Sequence, residues 1–291
     1  LLHTTNLTVT DAESKQWLAF HLTLMLLDQN FQWHESQVPT EVNLDQALAQ
    51  SAFVYGDAIW QALKHTQTDV AESHAWKRTD TLTNNWPLAL RGIEFLPLRE
   101  GVHFCQAIVG QNVMLDAIYQ QLPSSTAQLI HPDRYLEIPR WEPRKLRWAQ
   151  RDIQRSEPVW DNVIGELMIR AWLQRVLPAE EAALLASGWN GDGVLLYQTK
   201  EEAPQLVWKT AWRNAATAER FFKLLTEQAT TLFEAEGAPE KSGTTTTFPG
   251  VLGPHLLLAD DTVTLLRTTE PAWAQALEDI AKRSGVEEKK P

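Results

Sequence analysis

The sequence has little cysteine and no long apolar run. Its 291 residues include one cysteine, Cys105, so an intrachain disulfide is excluded. No stretch approaches the about 18 consecutive apolar residues that span a bilayer. Residues 1–5 lack the charged and apolar segments of a secretory signal, so no signal peptide is visible. We therefore expect a folded protein without a membrane span.

Positive charge is also in short supply. Lys and Arg number 26 against 37 Asp and Glu, which gives a formal net charge of −11. Such a charge repels phosphate backbones, so we expect no nucleic-acid partner. The one concentrated basic stretch, Arg140–Arg155, also carries Glu142 and Asp152. It therefore predicts a solvated surface of mixed charge.

The common catalytic motifs are absent as well. The sequence contains no phosphate-binding glycine loop, no nucleophile elbow, no Cys-x-x-Cys and no His-Glu-x-x-His. Gly188–Gly193 is rich in glycine, but it follows a predicted helix and precedes a predicted strand. That order is the reverse of the order in a phosphate cradle, so the segment predicts a tight turn.

Helical periodicity dominates the first half of the chain. Asp11 or Ser14 can cap a helix to about residue 30, whose broad apolar band predicts a largely buried helix. Asn43 can cap a second helix, to about His65, and we expect the two helices to pack face to face. Residues 66–85 are polar and aperiodic, which indicates a long loop.

Strand patterns appear only in the second half. Two hairpins are predicted, one from residues 194–197 and 205–210 and one from 255–258 and 262–267. Helices are predicted around them, at 161–177, 179–186, 215–233 and 271–282. This order predicts an α+β fold, with a mostly helical core in residues 1–150 and short antiparallel strands in 151–291, packed as one compact unit.

Two helical segments carry a resemblance to a known family. Ala19–Phe31 reads AFHLTLMLLDQNF, and it resembles the active-site helix of a family of bacterial zincin-like metallopeptidases. That helix reads His-Glu-x-x-His followed by Leu-x-Asp-Gln-x-Phe, and the second part is intact here. In the next helix, residues 55–58 read YGDA and are similar to the family's Glu-Gly-Asp-Ala, where the Glu is the third metal ligand.

The resemblance continues along the chain. Leu122–Tyr135 is similar to the family's Pro-x-Ser-Thr-Glu-Gln-x-x-His-Pro-x-x-Tyr segment. Gly165–Leu167 and Ser187–Asp192 are similar to its Gly-Glu-Leu and Gly-Trp-Gly-Gly-Asp motifs, and Leu206–Trp212 to its second strand. Order and spacing agree over roughly residues 12–234. The resemblance implies a zincin-like helical core.

The residues that would bind zinc are replaced. In a zincin, two His residues four positions apart and a Glu on the next helix bind the metal, and a Glu between the two His activates water. The corresponding positions here are Phe20, His21 and Leu24 on the first helix and Tyr55 on the second. The resemblance therefore implies a pseudo-enzyme with no catalytic residue, no metal and no cofactor. Asp57 is expected to orient the helix pair by hydrogen bonding.

A non-catalytic binding or scaffolding role follows from this interpretation. We expect a peptide or protein partner if an open groove lined by Phe20, His21, Leu24 and Tyr55 remains, and a purely structural role if that groove is filled. The resemblance also favours an exported location, because members of the family are often exported or membrane-tethered.

A second hypothesis is a hydrolase with a non-standard metal or acid–base site. His21, His131, Glu166 and Asp192 are its candidate residues. A metal could be bound by His21 together with His34 or Asp57, although a histidine hydrogen-bonded to a carboxylate or carbonyl is the simpler interpretation. Glu166 and Asp192 also suit the capping of helices and turns.

Tryptophan is abundant, with 13 residues. Five fall on apolar faces of predicted elements and are expected in the core: Trp17, Trp60, Trp172, Trp208 and Trp212. Four others, Trp33, Trp76, Trp86 and Trp141, fall in predicted loops. Because exposed aromatic rings bind sugars and extended peptides, these four form the candidate ligand surface.

Overall fold

The computed structural model describes residues 11–33, 43–153, 156–198, 204–249, 255–268 and 271–287. The chain divides into an N-terminal unit, Leu1–Val42 and Gln46–Trp141, and a C-terminal unit, Asn43–Asp45 and Glu142–Pro291. Within the described residues, the first unit is helical and the second carries an antiparallel sheet with helices. The predicted α+β class is confirmed. The predicted division at residue 150 lies beyond the division at Trp141.

The N-terminal unit is built from helices joined by short connections. Their bounds are α1 Ala12–Phe31, α2 Leu44–Thr66, α3 His74–Thr83, α4 Leu88–Leu96, α5 Val102–Gly110, α6 Leu115–Tyr119, α7 Thr126–Ile130 and α8 Pro132–Leu136. A π-helical segment, Pro97–Gly101, joins α4 to α5. Pro97 lacks an amide hydrogen and cannot continue the α-helical bonding, which accounts for the irregularity at this position.

Helix α1 begins where the sequence predicts but is far less buried than expected. Asp11 caps it, and its carboxylate accepts a hydrogen bond of 2.7 Å from the Ser14 amide. Leu27 is its one buried residue. Leu22, Met25 and other apolar side chains on its outer side are exposed. The broad apolar band therefore covers two faces of α1. One face packs against the other helices of the N-terminal unit, and the other is exposed.

The predicted long loop at 66–85 contains helix α3. Ser73 caps this helix and accepts a hydrogen bond of 3.1 Å from the Trp76 amide. The Trp76 ring packs edge-on against Phe95 of α4, with 5.0 Å between ring centroids. This ring contact and the ion pair of Asp80 with Arg91 hold an otherwise polar helix to α4, so the apolar periodicity of α3 was too sparse to predict it.

The C-terminal unit is built around a sheet of seven strands. Their bounds are β2 Trp160–Asn162, β3 Trp189–Tyr197, β4 Gln205–Trp212, β5 Glu240–Ser242, β6 Thr245–Thr247, β7 His255–Ala259 and β8 Thr262–Arg267. All neighbours are antiparallel, in the order β2-β3-β4-β8-β7-β6-β5. A separate pair joins β1 Leu146–Arg147 to β9 Gly285–Val286.

Both faces of the sheet are covered by helices. These are α9 Gly165–Leu173, α10 Ala179–Ala186, α11 Ala215–Glu227, α12 Ala229–Phe233 and α13 Pro271–Arg283. Successive side chains of β4 point to opposite faces of the sheet. Val207 packs in the core cluster with Trp273, so α13 covers one face. Trp208 contacts Phe221, so α11 covers the other.

Two predicted helices in this unit have different bounds. The predicted helix 161–177 begins only at Gly165, because Trp160–Asn162 pairs with β3 as a strand. The predicted helix 215–233 is two helices that meet at Gln228, whose backbone leaves the helical region. Both predicted hairpins are present as β3–β4 and β7–β8. Within the described ranges, no helix combines the length and hydropathy of a membrane span.

Candidate functional site

The N-terminal unit contains an open cleft of about 550 Å³ between α1, α2, α3 and α4. This volume falls in the range of small-ligand and peptide side-chain sites, about 300–1,000 Å³. The aromatic and apolar lining includes Trp17, Phe20, His21, Tyr55, Ile59, Leu63, Ile93 and Leu98. Polar side chains at the cleft are Glu13, Gln16, Ser73, Arg78, Thr79 and Glu94. The cleft combines apolar walls with a few polar groups, which is the usual character of a binding site.

Three of the four residues that the sequence resemblance aligns with zincin catalytic positions lie together in this cleft. Phe20 and Tyr55 stack across the two helices, with ring centroids 6.3 Å apart. His21 lies edge-on to Phe20 at 5.0 Å. The fourth position, Leu24, is half-buried on α1 and is not among the residues that line the cleft. The predicted groove is therefore present without Leu24.

The His21 ring is held by its own helix. Its Nδ1 lies 2.8 Å from the Trp17 carbonyl oxygen. Because a carbonyl oxygen can only accept, Nδ1 must carry the hydrogen and donate it. The other nitrogen, Nε2, then bears a lone pair whenever the ring is neutral. The Trp17 ring lies 4.1 Å from the His21 ring and completes one wall of the cleft.

Asp57 is buried on α2, two residues after Tyr55. Its carboxylate accepts hydrogen bonds from the Tyr119 hydroxyl, at 2.9 Å, and from Gln61 Nε2, at 3.1 Å. Phe31, the last residue of α1, stacks on Tyr119 with ring centroids 4.2 Å apart. Asp57 thus links α2 to α6, and through Tyr119 to the end of α1. The expected hydrogen bonding of Asp57 across the helix pair is replaced by bonds to Gln61 and Tyr119, and the link to α1 is the stacking of Phe31 on Tyr119.

Burial dominates the ionisation of this cluster. It raises the pKa of the Asp57 carboxyl, and the hydrogen bonds from Gln61 and Tyr119 oppose that rise. It also raises the pKa of the Tyr119 hydroxyl and of the Cys105 thiol, and the nearby Asp57 charge adds to both effects. Cys105 is therefore a buried thiol rather than a reactive thiolate.

The raised pKa of Asp57 predicts a pH dependence of stability in the N-terminal unit. Between the ordinary carboxyl pKa, about 3.8, and the raised pKa, the folded state binds more protons than the unfolded state. The free energy of unfolding therefore falls as pH increases through this window. We expect Asp57→Asn to remove this contribution, so that the variant gains stability relative to the wild type as pH increases from the ordinary carboxyl pKa to the raised one.

Hydrogen exchange of α2 amides, corrected for intrinsic rates, measures this effect in the unit concerned. Asp133→Asn is the control, because Asp133 is an exposed carboxylate of the same unit and is not among the groups that shift the pKa of Asp57. A wild type that gains stability over Asp57→Asn as pH increases would contradict the sign of the pKa shift.

The residues that the resemblance aligns with zinc ligands do not fit zinc. Phe20 and Leu24 have no lone pair, and Tyr55 offers a phenol oxygen, which is not among the usual protein ligands of zinc. Among the described residues, no three His, Cys, Asp or Glu side chains are grouped so that they could hold a metal ion. The proposed co-ligand His34 lies outside the described residues.

Asp192, a candidate of the hydrolase hypothesis, has its two oxygens fully occupied. Oδ1 accepts hydrogen bonds from the Gly165 amide and Trp189 Nε1, and Oδ2 from the Ile164 amide and Trp208 Nε1, all at 2.9–3.1 Å. Burial raises its pKa, and these four donors oppose the rise. Asp192 therefore anchors the start of α9 to the sheet.

The other hydrolase candidates also occupy structural positions. Glu166 is buried in the first turn of α9. His131 joins α7 to α8: its amide donates to the Ala127 carbonyl, and its carbonyl accepts from the Arg134 amide. His131 does not line the cleft that contains His21.

The four loop tryptophans do not form a common surface. Trp33 packs edge-on against Tyr55 at 5.8 Å, Trp76 packs against Phe95, and Trp141 lies under the Arg134 guanidinium at 4.8 Å. Trp86 is exposed between α3 and α4. In the described part of the chain, no ring contact joins any two of them, and none lines the cleft.

The tryptophan at the cleft is Trp17, which the sequence placed in the core. Its side chain is 54% exposed and forms part of the cleft wall. Periodicity placed it on an apolar face of α1 but did not reveal which face packs. Its position, one turn before His21, is the sequence signal that links it to the site.

Comparisons with known proteins concern the other unit. Residues 154–279 match the family model described as a domain of unknown function (DUF8575). No curated protein and no solved structure matches the chain. The matched residues run from just before β2 into α13 and contain the seven-stranded sheet. The chain is similar to this domain in its sheet region, and the cleft lies outside the matched residues.

Proposed function

We propose that the chain is a catalytically inactive, metallopeptidase-like protein, a pseudo-enzyme, whose cleft binds a peptide or an extended segment of a protein partner. The observation that carries the proposal is the position of Phe20, His21 and Tyr55. These residues replace the catalytic ones in the family that the sequence resembles, and they line an open cleft rather than a filled core.

The residues shared with that family support the same proposal. Phe31 and Asp57 are retained, and both take part in the cluster around Tyr119. Phe31 packs on Tyr119 and Asp57 accepts its hydrogen bond, so both residues have a structural role that does not depend on catalysis. The replaced residues instead contribute aromatic surface, which gives large contact area at little conformational cost. The packing around Tyr119 is kept, whereas the catalytic positions are replaced by aromatic residues. This combination suits a protein that binds a peptide without cleaving it.

Binding of capped hexapeptides from a randomised array, followed by titration calorimetry of the strongest binders, tests the proposal. We expect Phe20→Ala to weaken binding about tenfold or more, because burial of a Phe side chain contributes about 1.5–3 kcal/mol. Leu22→Ala is the matched control: Leu22 lies on the same helix, is 49% exposed and is not in the cleft. We expect it to change affinity less than about twofold.

Three results would contradict the proposal. The first is that no peptide binds the wild type. The second is that peptides bind the wild type and Phe20→Ala equally well. The third is that Leu22→Ala is the variant that loses binding, because the site would then be the outer side of α1.

A further inference from the structure

Two side chains of α1 that line the cleft, Gln16 and His21, offer hydrogen-bond acceptors. Gln16 Nε2 donates to the hydroxyls of Thr66, at 3.1 Å, and Thr68, at 2.8 Å. The Thr66 hydroxyl donates to the Ala62 carbonyl at 3.0 Å, and the Thr68 hydroxyl lies 3.1 Å from the Thr66 hydroxyl and 3.4 Å from the Thr66 carbonyl. With both hydroxyl hydrogens used in this way, both hydroxyls accept from Gln16, and this network assigns the orientation of its amide. The remaining amide oxygen, Oε1, is an acceptor on a residue that lines the cleft.

His21 adds a second acceptor. Its Nδ1 hydrogen is used by the Trp17 carbonyl, so Nε2 of the neutral ring accepts rather than donates. No hydrogen bond to Nε2 is formed by the described residues. Gln16 and His21 both belong to α1, five residues apart, and both line the cleft.

The charges at the cleft are also predominantly negative. Glu13 on α1 and Glu94 on α4 contribute carboxylates, against the single guanidinium of Arg78 on α3. The net charge of the whole chain, −11, has the same sign. A cation would therefore be attracted to the protein and to this cleft in particular.

The aromatic walls complete the recognition chemistry. Trp17, Phe20 and Tyr55 present ring surface in a cleft with acidic groups. Aromatic faces attract ammonium and guanidinium groups and pack against the methylene stems that carry them. A donor-rich cation on an apolar stem matches the acceptors, the carboxylates and the rings together.

We infer that the cleft selects peptides that carry a lysine or arginine side chain and binds that side chain between the rings and the carboxylates. The stem lies against Trp17 and Phe20, and the cationic group lies near Glu13 and Glu94. This inference rests on the proposed peptide-binding function and specifies the side chain that the cleft recognises.

Positional-scanning hexapeptide pools test the inference. Each pool is acetylated and amidated, and one position is fixed as Lys, Arg, norleucine or Glu. Norleucine keeps the apolar stem of lysine without its charge. We expect Lys and Arg pools to bind the wild type about tenfold more tightly than norleucine pools, since hydrogen bonds to charged groups are among the stronger ones. Glu pools should bind weakest.

Charge variants separate recognition in the cleft from general attraction to an acidic protein. Glu13→Gln with Glu94→Gln should remove most of the preference for Lys over norleucine, and Arg78→Gln should increase it. The matched control is Glu180→Gln with Glu181→Gln, which changes the net charge equally at two exposed residues of α10. We expect this control to keep the preference.

The outcomes distinguish failure of the basic side-chain preference from failure of peptide binding itself. If peptides bind in a Phe20-dependent way but norleucine or Glu pools bind as tightly as Lys pools, the inference is wrong and the proposed function stands. If the Glu180 and Glu181 control removes the preference as fully as the cleft variants, the attraction is general and the inference is again wrong. If no pool binds, the proposed function fails as well.

Discussion

Replacement of Gly101 with alanine is expected to destabilise the N-terminal unit by about 3 kcal/mol or more. A Cβ at this position would lie 2.2 Å from the Ala52 carbonyl oxygen and 3.1 Å from the Gly56 Cα, both on α2. These are backbone atoms, so α2 and the π-helical segment would have to separate. Overpacking of this kind usually costs about 1–3 kcal/mol, and a backbone clash belongs at the upper end.

Urea unfolding monitored by circular dichroism, with hydrogen exchange of α2 amides, measures the loss. Gly110→Ala is the matched control, because no atom lies within 4 Å of a Cβ there and the residue ends α5. The control should be neutral or stabilising by up to about 1 kcal/mol, as alanine favours the helix. Equal stabilities for the two variants would contradict the close packing of α2 on the π-helical segment.

Replacement of Asp192 with asparagine is expected to cost about 3 kcal/mol or more in the C-terminal unit. All four partners of the carboxylate donate hydrogen bonds, so the amide group of asparagine would face two donors. Each buried group left without a partner costs about 1–3 kcal/mol. The indoles of Trp189 and Trp208 are among those partners, so tryptophan fluorescence during urea unfolding reports on the site itself.

Asp279→Asn provides the comparison for Asp192→Asn. Asp279 lies on α13, where it pairs with Arg283 at 3.6 Å with both side chains exposed. Such a pair contributes at most about 1 kcal/mol. If Asp192→Asn were as mild as this control, a structural role for Asp192 would be wrong, and an acid–base role would become the better account of its position.

The parts of the fold that were predictable have strong local signals. The β7–β8 hairpin combines apolar strands with the turn Ala259–Asp261, in which Asp260 adopts a positive φ of 50° that Asp tolerates well. Helix α13 has clear apolar periodicity. In contrast, α3 is held to α4 by the ring contact of Trp76 with Phe95 and by the ion pair of Asp80 with Arg91, so its partners lie outside its own residues. Such an element cannot be predicted from its own residues.

The candidate site was predictable in part. Resemblance placed Phe20, His21 and Tyr55 together, and they line one cleft. It also placed Leu24 there, because four residues separate it from Phe20 on a helix, but Leu24 lies outside the lining. Trp17 was assigned to the core because α1 has apolar residues on two faces. Which face packs is decided by tertiary contacts that periodicity does not contain.

The central claim is that the cleft occupies the place of a zincin active site whose ligands have been replaced. Phe20 and Leu24 are one helical turn apart, as the two metal-binding His residues of a zincin are. The Phe20 and Tyr55 rings are 6.3 Å apart across two helices. A metal site at these positions should therefore be recoverable by substitution.

The most direct measurement is the zinc content of the wild type and of a variant that combines Phe20→His, His21→Glu, Leu24→His and Tyr55→Glu. Both are exposed to excess Zn²⁺, dialysed and analysed by mass spectrometry of the metal. A control with glutamine at all four positions adds polarity without strong zinc ligands. The account predicts about one zinc per chain in the His and Glu variant, and none in the wild type or the control. A folded variant without zinc, or stoichiometric zinc in the wild type, would contradict it.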